Sequence, residues 1–383
     1  MLTTMTIRAP ADMHCHFRDG TTLPLVVPAT AGVFGIALAM PNLMPPITTA
    51  KQALDYVDRV YAAAANVNPY FRVLGTLYLT ERLDPRELLK GWEGIGNDGN
   101  RYIHAVKLYP KGGTTNSDDG VTDLHKVLGL LDIMVENDIP LLVHGEVVVS
   151  EGGGVARWER EALWLTRVYP ILRERVPKLK IVLEHITTAE AAALVEGDDE
   201  FLAATITPHH LFLDDAHASA HPMAAHATCM PIIKSLRDKE ALRKLAVSGH
   251  PRVFAGTDTA PHPVEKKHAG LCACGAFVAP GALEAYATVF DEMGALTEES
   301  GERRFNAFMS ENGPRFYGIP PAEWHISLRK EATLITKRFF LPHHLGGGAT
   351  EIVPFFHEDA FGRKTPEKDG TPGAPVLKWR IAT

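Results

Sequence analysis

The stretch "DMHCHFRDG", residues 12–20, ends the first β-like run of the chain and holds two histidines, an arginine and two aspartates. Histidines at positions i and i+2 project from the same face of a strand. His14 and His16 therefore present two imidazoles side by side at the C-terminal end of this run. The next question is whether other runs of the chain end in similar residues.

Eight β-like runs alternate with helix-like segments, and several of the runs are apolar throughout. Apolar runs are typical of strands buried on both faces of a sheet, and regular alternation with helices is typical of a parallel (β/α)8 barrel. We therefore predict a TIM barrel over residues 1–345. An open doubly wound sheet is the alternative, but no G-x-G-x-x-G follows a run. The runs are MTIRAPADMH, GIALAM, FRVLGTLYL, YIHAVKLY, IPLLVHGE, KIVLEHI, LAATITP and RVFAGTD.

The segments between the runs predict helices, and the segment after them predicts a C-terminal extension. Thr48 to Ala65 has a helical pattern, and a second helix is predicted where Ser235 and Asp238 stand three apart and Gly249 follows. From residue 346 the chain becomes rich in Gly and Pro. We interpret residues 346–383 as a C-terminal extension that packs on the barrel or trails from it, within a single-domain protein.

Net charge, apolar stretches and cysteine spacing limit the partners and the cell compartment that the sequence predicts. The formal net charge of −7 over 383 residues disfavours nucleic acid or an anionic membrane as a general partner. The N-terminus has no signal-peptide pattern, and the longest apolar stretch is broken by Pro and Gly, so we expect a cytoplasmic protein without a membrane span. We expect free thiols, because no C-x-x-C pair occurs among Cys15, Cys229, Cys272 and Cys274.

Polar residues recur at the C-terminal ends of the predicted strands, which share one mouth in a (β/α)8 barrel. Imidazoles and carboxylates are good ligands for zinc-like cations, and this set exceeds what one catalytic zinc uses. A desolvated lysine would lose its proton, and its neutral amine could take up CO2 to give a bridging carbamate. A buried lysine is more often an ion-pair partner. The prediction of a metal centre therefore depends on the whole set of polar residues at the strand ends and not on the lysine alone. The residues are His14, His16, Asn42, Lys107, His144, His185, Asp258 and His262.

These motifs resemble those of class II dihydroorotases of the amidohydrolase superfamily, over about residues 12 to 318. The matching stretches are DMHCHFRDG, MPNLMPPITT, AVKLYPKGGTTNSDDGV, PLLVHGEV, LEHITT, LAATITPHHL, GTDTAPH and NGPRFYGIP. The stretch "LCACGAF" departs from the Gly- and Cys-rich run usual in the family, which puts the role of Cys274 in question.

The resemblance implies a centre with two divalent cations, Zn²⁺ by expectation, whose ligands are His14, His16, Lys107, His144, His185 and Asp258. Lys107, carboxylated by CO2, would bridge the cations, and Asp258 would also act as general acid and base. Thr114 and Thr115, within residues 111–120, would sit on a mobile lid. The implied substrate contacts are His16, Arg18, Asn42, His144, Met230, His262 and Cys274.

The reaction implied is the reversible cyclisation of N-carbamoyl-L-aspartate to dihydroorotate and water in pyrimidine synthesis, catalysed by a cytoplasmic homodimer. A different cyclic amidase, such as a hydantoinase or allantoinase, is the first alternative. Arg18, Asn42 and His262 favour a substrate that carries a carboxylate on its ring. The second alternative is a dihydroorotase-like structural subunit without activity, which competent residues at all six candidate ligand positions disfavour.

Overall fold

In a computed structural model of the chain, the described residues are 2–150, 153–197, 199–216, 225–270, 272–335, 337–341, 350–357 and 376–382. Eight parallel strands form a nearly closed barrel, in the chain order predicted from the eight runs. Helices lie between consecutive strands along the chain. The barrel strands are β2 Ala11–Cys15, β3 Ile36–Ala39, β4 Arg72–Leu79, β5 Ile103–Leu108, β6 Leu141–Val143, β9 Ile181–Leu183, β10 Leu202–Ile206 and β11 Val253–Ala255.

The seam between β11 and β2 closes through the segments that follow these strands. The backbone N–H of Asp258 donates to the carbonyl of His14 (2.8 Å), and the N–H of His16 donates to the carbonyl of Thr259 (2.8 Å). Buried Asp12 strengthens the seam, because its carboxylate accepts hydrogen bonds from the N–H and hydroxyl of Thr257. Closure therefore places His14, His16 and Asp258 next to one another although they are far apart in sequence.

The first predicted run is wrong as a single strand, because it forms two. β1 (Thr4–Arg8) lies outside the barrel and pairs antiparallel with β12 (His325–Arg329). Pro10 follows and cannot donate to a strand ladder, so the chain leaves the small sheet before it enters the barrel as β2. β12 also pairs with β15 (Arg380–Ile381), which completes a three-stranded sheet.

The two helix predictions are confirmed with small shifts at the ends. The helix Ala50–Ala64 begins after Thr49, which forms a capping box with Gln52. The helix Leu236–Val247 is capped by the predicted pair Ser235 and Asp238. The other α-helices are Leu23–Ala31, Pro85–Glu93, Leu128–Glu136, Arg160–Leu163, Tyr169–Arg175, Ala189–Glu196, Pro208–Phe212, Val264–Lys267, Ala282–Glu292, Glu299–Asn306 and Asn312–Phe316.

Short irregular elements complete the fold. The 3-10 helices are Gly20–Thr22, Leu124–Val127 and Ala225–Ala227, and the π-helices are Trp164–Val168 and Ala307–Glu311. β7 (Val149–Ser150) pairs antiparallel with β8 (Gly153–Gly154), and β13 (Phe339–Leu341) pairs antiparallel with β14 (Thr350–Ile352).

The predicted boundary at residue 345 and most of the predicted extension, residues 346–349 and 358–375, lie outside the described residues. The final described segment, 376–382, includes β15 and the fully buried Trp379. We keep a single barrel domain with a packed C-terminal extension as a proposal. Within the described part of the chain, every helix is too short or too polar to span a bilayer.

Candidate active site

The barrel brings the six predicted metal-ligand residues together at the C-terminal ends of its strands. His14 and Lys107 belong to β2 and β5, and the other four follow β2, β6, β9 and β11 directly or within three residues. All six are buried: His14, His16, Lys107, His144, His185 and Asp258.

One half of this centre consists of His14, His16 and Asp258. Nε2 of His14 lies 3.2 Å from Nε2 of His16, and Oδ1 of Asp258 lies 3.3 and 3.2 Å from these two nitrogens. A tetrahedral zinc site with bonds of about 2.0–2.1 Å separates its ligand atoms by about 3.3 Å. The three ligand atoms thus have the mutual spacing that a divalent cation requires, and their chemistry fits one.

The partners on the far sides of these rings favour the same arrangement. Nδ1 of His16 lies 2.8 Å from Oδ1 of Asn42, an acceptor, so it carries the ring proton. Nδ1 of His14 lies 2.9 Å from Oε2 of Glu184, which likewise favours a proton at Nδ1. When the His14 ring is neutral, both Nε2 atoms direct lone pairs toward the shared space, as metal-ligating histidines do.

The other half of the centre consists of His144 and His185. Nδ1 of His144 lies 3.2 Å from Nε2 of His185. Nε2 of His144 lies 2.8 Å from Oε2 of Glu146, which leaves Nδ1 of His144 to face His185 with its lone pair. This buried pair provides two imidazole ligands for a second cation, with Glu146 fixing the tautomer of one of them.

Glu184 is a residue that the sequence analysis missed. Its Oε2 contacts both Nζ of Lys107 and Nδ1 of His14, and all three side chains are buried. The signal that could have found it is the buried acidic position directly before His185 in "LEHITT". The sequence analysis also missed Glu146. A similar signal could have found it, because this acidic residue follows the predicted ligand His144 by two positions in "VHGE".

Burial and neighbouring charge together set the electrostatics of the centre. Burial lowers the pKa of His14, but Glu184 and Asp258 outweigh it and raise this pKa to about 9. Burial lowers the pKa of His16 to about 4. Burial alone would raise the pKa of Asp258, but the two histidines hold it well below its usual range. The centre therefore contains an ionised carboxylate that attracts a cation or a proton.

The backbone is strained at the same place. Arg18, His185 and Asp258 have positive φ angles of 59°, 44° and 49°. Such angles are uncommon for residues other than glycine, and they cluster at functional sites because the surrounding structure must hold them. All three residues line the pocket at the barrel mouth.

The predicted carboxylate-binding residues form one side of the mouth. Nη2 of Arg18 lies 3.0 Å from Nε2 of His262, which also lies 2.9 Å from the carbonyl oxygen of Cys274. Arginine only donates and a carbonyl only accepts, so this nitrogen satisfies one neighbour at a time. Among the described residues, Arg18 forms no ion pair with a carboxylate. The Arg18 guanidinium is therefore available to an anionic ligand.

Thr114 and Thr115 line the pocket at this mouth. The hydroxyl of Thr115 donates to the carbonyl of Cys274 (3.1 Å), and the side-chain amide of Asn42 donates to the carbonyl of Thr115 (2.9 Å). Gly120, at the end of this segment, is closely packed: a Cβ there would lie 2.7 Å from the carbonyl oxygen of Tyr109. The movement of the segment stays a prediction.

All the predicted substrate contacts line one pocket at the barrel mouth or border it. His262 borders the pocket through Arg18 and Cys274, and Tyr109 is a lining residue that the sequence analysis did not name. The pocket is lined by His16, Arg18, Asn42, Tyr109, Thr114, Thr115, His144, His185, Met230, Asp258, Ala260, Cys274 and Gly275.

A further buried group, His209, His210 and Cys229, also has possible ligand atoms close together. Both ring nitrogens of His210 are already hydrogen-bonded, Nδ1 to the Thr207 hydroxyl (2.7 Å) and Nε2 to the Pro231 carbonyl (3.1 Å). A cation there would have to break one of these bonds, so this group is not comparable with the centre at the barrel mouth.

Similarity to known proteins agrees with this geometry. No protein-family model matches the chain. A dihydroorotase from Klebsiella pneumoniae (strain 342) is 43% identical over 349 residues, which are 91% of this chain and 94% of that protein. The structure of Campylobacter jejuni dihydroorotase superposes with a TM-score of 0.80 at 31% identity, covering 100% of this chain and 98% of that one. Saccharomyces cerevisiae dihydroorotase, solved in complex with 5-fluoroorotic acid, gives a TM-score of 0.81 at 29% identity, covering 100% and 99%. The chain belongs to the dihydroorotase family.

Proposed function

We propose that this protein is a dihydroorotase that interconverts N-carbamoyl-L-aspartate with dihydroorotate and water, using two divalent cations joined by a carboxylated Lys107. The observation that carries the proposal is that one buried mouth holds the ligand group His14, His16 and Asp258, the histidine pair His144 and His185, and an arginine that lacks a carboxylate partner among the described residues. The metal-ligand residues fit amide hydrolysis, and the arginine fits a carboxylate on the substrate ring.

His14, His16 and Asp258 would hold one cation, and His144 and His185 the other. Imidazole and carboxylate ligands of this kind suit Zn²⁺. When bound, such cations supply a nucleophilic water at neutral pH and polarise the amide carbonyl. Asn42 and Glu146 hold His16 and His144 in the tautomers that this requires.

Lys107 would supply the bridging ligand. Its burial, and the Glu184 carboxylate that its amine shares with His14, support this role. Addition of CO2 to the neutral amine forms an N–C bond and releases one proton, which gives an anionic two-oxygen ligand. Carboxylation also removes the ammonium that now pairs with Glu184. An additional buried anion is costly without a compensating cation, so we expect carboxylation and metal loading to depend on each other.

Arg18 and His262 would bind the ring carboxylate, with Asn42 beside them. The planar guanidinium of Arg18 can donate two parallel hydrogen bonds to a carboxylate. A bound carboxylate would also relieve the competition for Nε2 of His262 by giving Arg18 an acceptor of its own. The 5-fluoroorotic acid in the yeast dihydroorotase structure carries a ring carboxylate of this kind.

Asp258 would move the proton. In the direction of hydrolysis, its carboxylate takes a proton from the attacking water and delivers it to the ring nitrogen as the amide bond breaks. Its position fits this role, because it follows β11 at the rim of the barrel and lines the pocket. In the direction of cyclisation the same steps run in reverse.

The test is an assay of purified, zinc-loaded protein on dihydroorotate, hydantoin and allantoin. We expect turnover of dihydroorotate, and of carbamoyl aspartate in the reverse direction, with at least a hundredfold lower kcat/KM for the other two rings, because hydantoin and allantoin have no ring carboxylate for Arg18. Preference for hydantoin or allantoin would assign the protein to another cyclic amidase, and inactivity on all three would support a structural subunit.

The family resemblance adds two further parts to this proposal. We expect a homodimer, which sedimentation equilibrium would test by giving twice the chain mass of 41.9 kDa. We also expect the protein in the cytoplasm, which cell fractionation would test.

A further inference from the structure

Lys267 is a buried lysine that none of the roles assigned above uses. It ends the short helix Val264–Lys267, five residues after His262, and its side chain is 2% exposed. Among the described residues it forms no ion pair. Buried lysines are rare unless they are paired, so the groups around its ammonium need an explanation.

Three backbone carbonyls surround the Lys267 ammonium. Nζ donates to Thr228 (3.0 Å), Ala273 (2.9 Å) and Gly275 (2.8 Å). An ammonium has three N–H donors, and all three are satisfied here by neutral acceptors. Its positive charge is therefore hydrogen-bonded but not neutralised by these contacts.

These carbonyls belong to the two segments that form one wall of the pocket. Ala273 and Gly275 flank Cys274, and Thr228 lies two residues before Met230; Cys274, Gly275 and Met230 line the pocket. The N–H of Gly275 also donates to the Thr228 carbonyl (3.0 Å), so one backbone bond and one lysine join the same two segments. Loss of the lysine would leave three carbonyls to find other partners.

The joined wall carries the contacts that shape the carboxylate side of the mouth. The Cys274 carbonyl accepts from His262 (2.9 Å) and from the Thr115 hydroxyl (3.1 Å). Lys267 binds the carbonyls on both sides of Cys274 and so fixes the position of Cys274. The Cys274 carbonyl in turn accepts hydrogen bonds from His262 and from the lid residue Thr115. A small displacement of Cys274 would move both of them.

We propose that Lys267 is a positioning residue that fixes the wall formed by residues 228–230 and 273–275, and whose uncompensated charge favours an anionic substrate in the adjoining pocket. This inference rests on the proposed function, since it concerns binding of the ring carboxylate. It predicts a defect in substrate affinity rather than in the chemical step, because Lys267 contacts neither the metal ligands nor Asp258 in the structure.

The test is steady-state kinetics of Lys267→Met, which keeps the length of the side chain and removes its charge and its donors. We expect KM for dihydroorotate and Ki for orotate to rise about 10- to 100-fold, the effect of weakening one or two hydrogen bonds between the displaced wall and the ring carboxylate. We expect kcat within about threefold of wild type and an unchanged zinc content. Lys267→Gln retains two N–H donors without the charge, so it should recover part of the KM defect.

Two control variants separate positioning from general damage. Lys266→Met removes an exposed lysine from the same helix and should leave KM unchanged. Lys239→Met removes a buried lysine that pairs instead with Asp214 (2.6 Å), and neither residue lines the pocket, so this variant should lower the melting temperature without changing KM.

A folded Lys267→Met protein with KM and Ki within twofold of wild type would overturn the inference. So would a loss of kcat at unchanged KM, or a failure of both Lys267 variants to fold, which would make the residue purely structural. Wild-type protein inactive on dihydroorotate would instead remove the proposed function, so the two failures are distinguishable.

Discussion

Arg18 gives the sharpest prediction about substrate choice. Arg18→Met retains much of the side-chain volume but removes the guanidinium, which lies 3.0 Å from His262 and has no carboxylate partner among the described residues. Two hydrogen bonds to a charged group contribute about 1.5–3 kcal/mol each. Their loss corresponds to about 3–6 kcal/mol, or roughly 10²- to 10⁴-fold in kcat/KM for dihydroorotate, at about 1.4 kcal/mol per tenfold.

The assay compares ligands with and without the carboxylate. Ki for orotate should rise by a similar factor, whereas Ki for uracil, the same ring without a carboxylate, should stay within about threefold of its wild-type value. Arg59→Met is the matched control, because Arg59 is half-exposed and pairs with Asp19 (2.7 Å), the residue next to Arg18. A surface ion pair contributes at most about 1 kcal/mol, so this variant should keep wild-type kinetics. Equal losses of affinity for orotate and uracil in Arg18→Met would refute the carboxylate role.

Three further predictions concern the other residues of the mouth. Asp258→Asn should retain at least one zinc ion on the remaining imidazoles and lose roughly 10²- to 10⁴-fold in kcat, the usual contribution of a general acid or base; near-wild-type turnover would contradict its proton-transfer role. Thr114→Ala combined with Thr115→Ala should preserve metal content and lower kcat/KM by about 10- to 1000-fold, because hydrogen bonds made best in the transition state are lost; kinetics within threefold of wild type would make the segment an ordinary turn. Burial and Arg18 lower the pKa of His262 to about 2, so the imidazole stays neutral in the usual assay range. Any step in the pH profile of KM near the ordinary histidine pKa should therefore persist in a His262→Asn variant. Loss of such a step in the variant would contradict a neutral His262.

The sequence was sufficient to predict the barrel and the convergence of most candidate ligand residues at one mouth. The eight runs correspond to the eight parallel strands because strands buried on both faces must be apolar along their length. Once these strands are placed in a barrel, their C-terminal ends share one mouth, and His14, Lys107, His144 and His185 converge without further information. Thr114, Thr115 and Met230 came from the family resemblance, and the structure places them on the same pocket.

Side-chain contacts between segments far apart in the chain could not be predicted from the sequence. Glu184 and Lys267 matter because of what they touch, and a single acidic or basic residue in a chain of this length carries no local signal of that kind. The first run is β-like along its whole length, and only Pro10, which cannot donate to a strand ladder, marks its division into two strands. The positive φ angles of Arg18, His185 and Asp258 are imposed by the surrounding packing, so residue type did not reveal them.

The most direct test of the two-cation centre is a crystal structure of the zinc-loaded protein with anomalous diffraction data collected at the zinc edge. The account predicts two anomalous peaks, one among His14, His16 and Asp258 and the other between His144 and His185, with density for a carboxylated Lys107 between them. One peak only, or two peaks with an unmodified Lys107 amine still paired with Glu184, would contradict it.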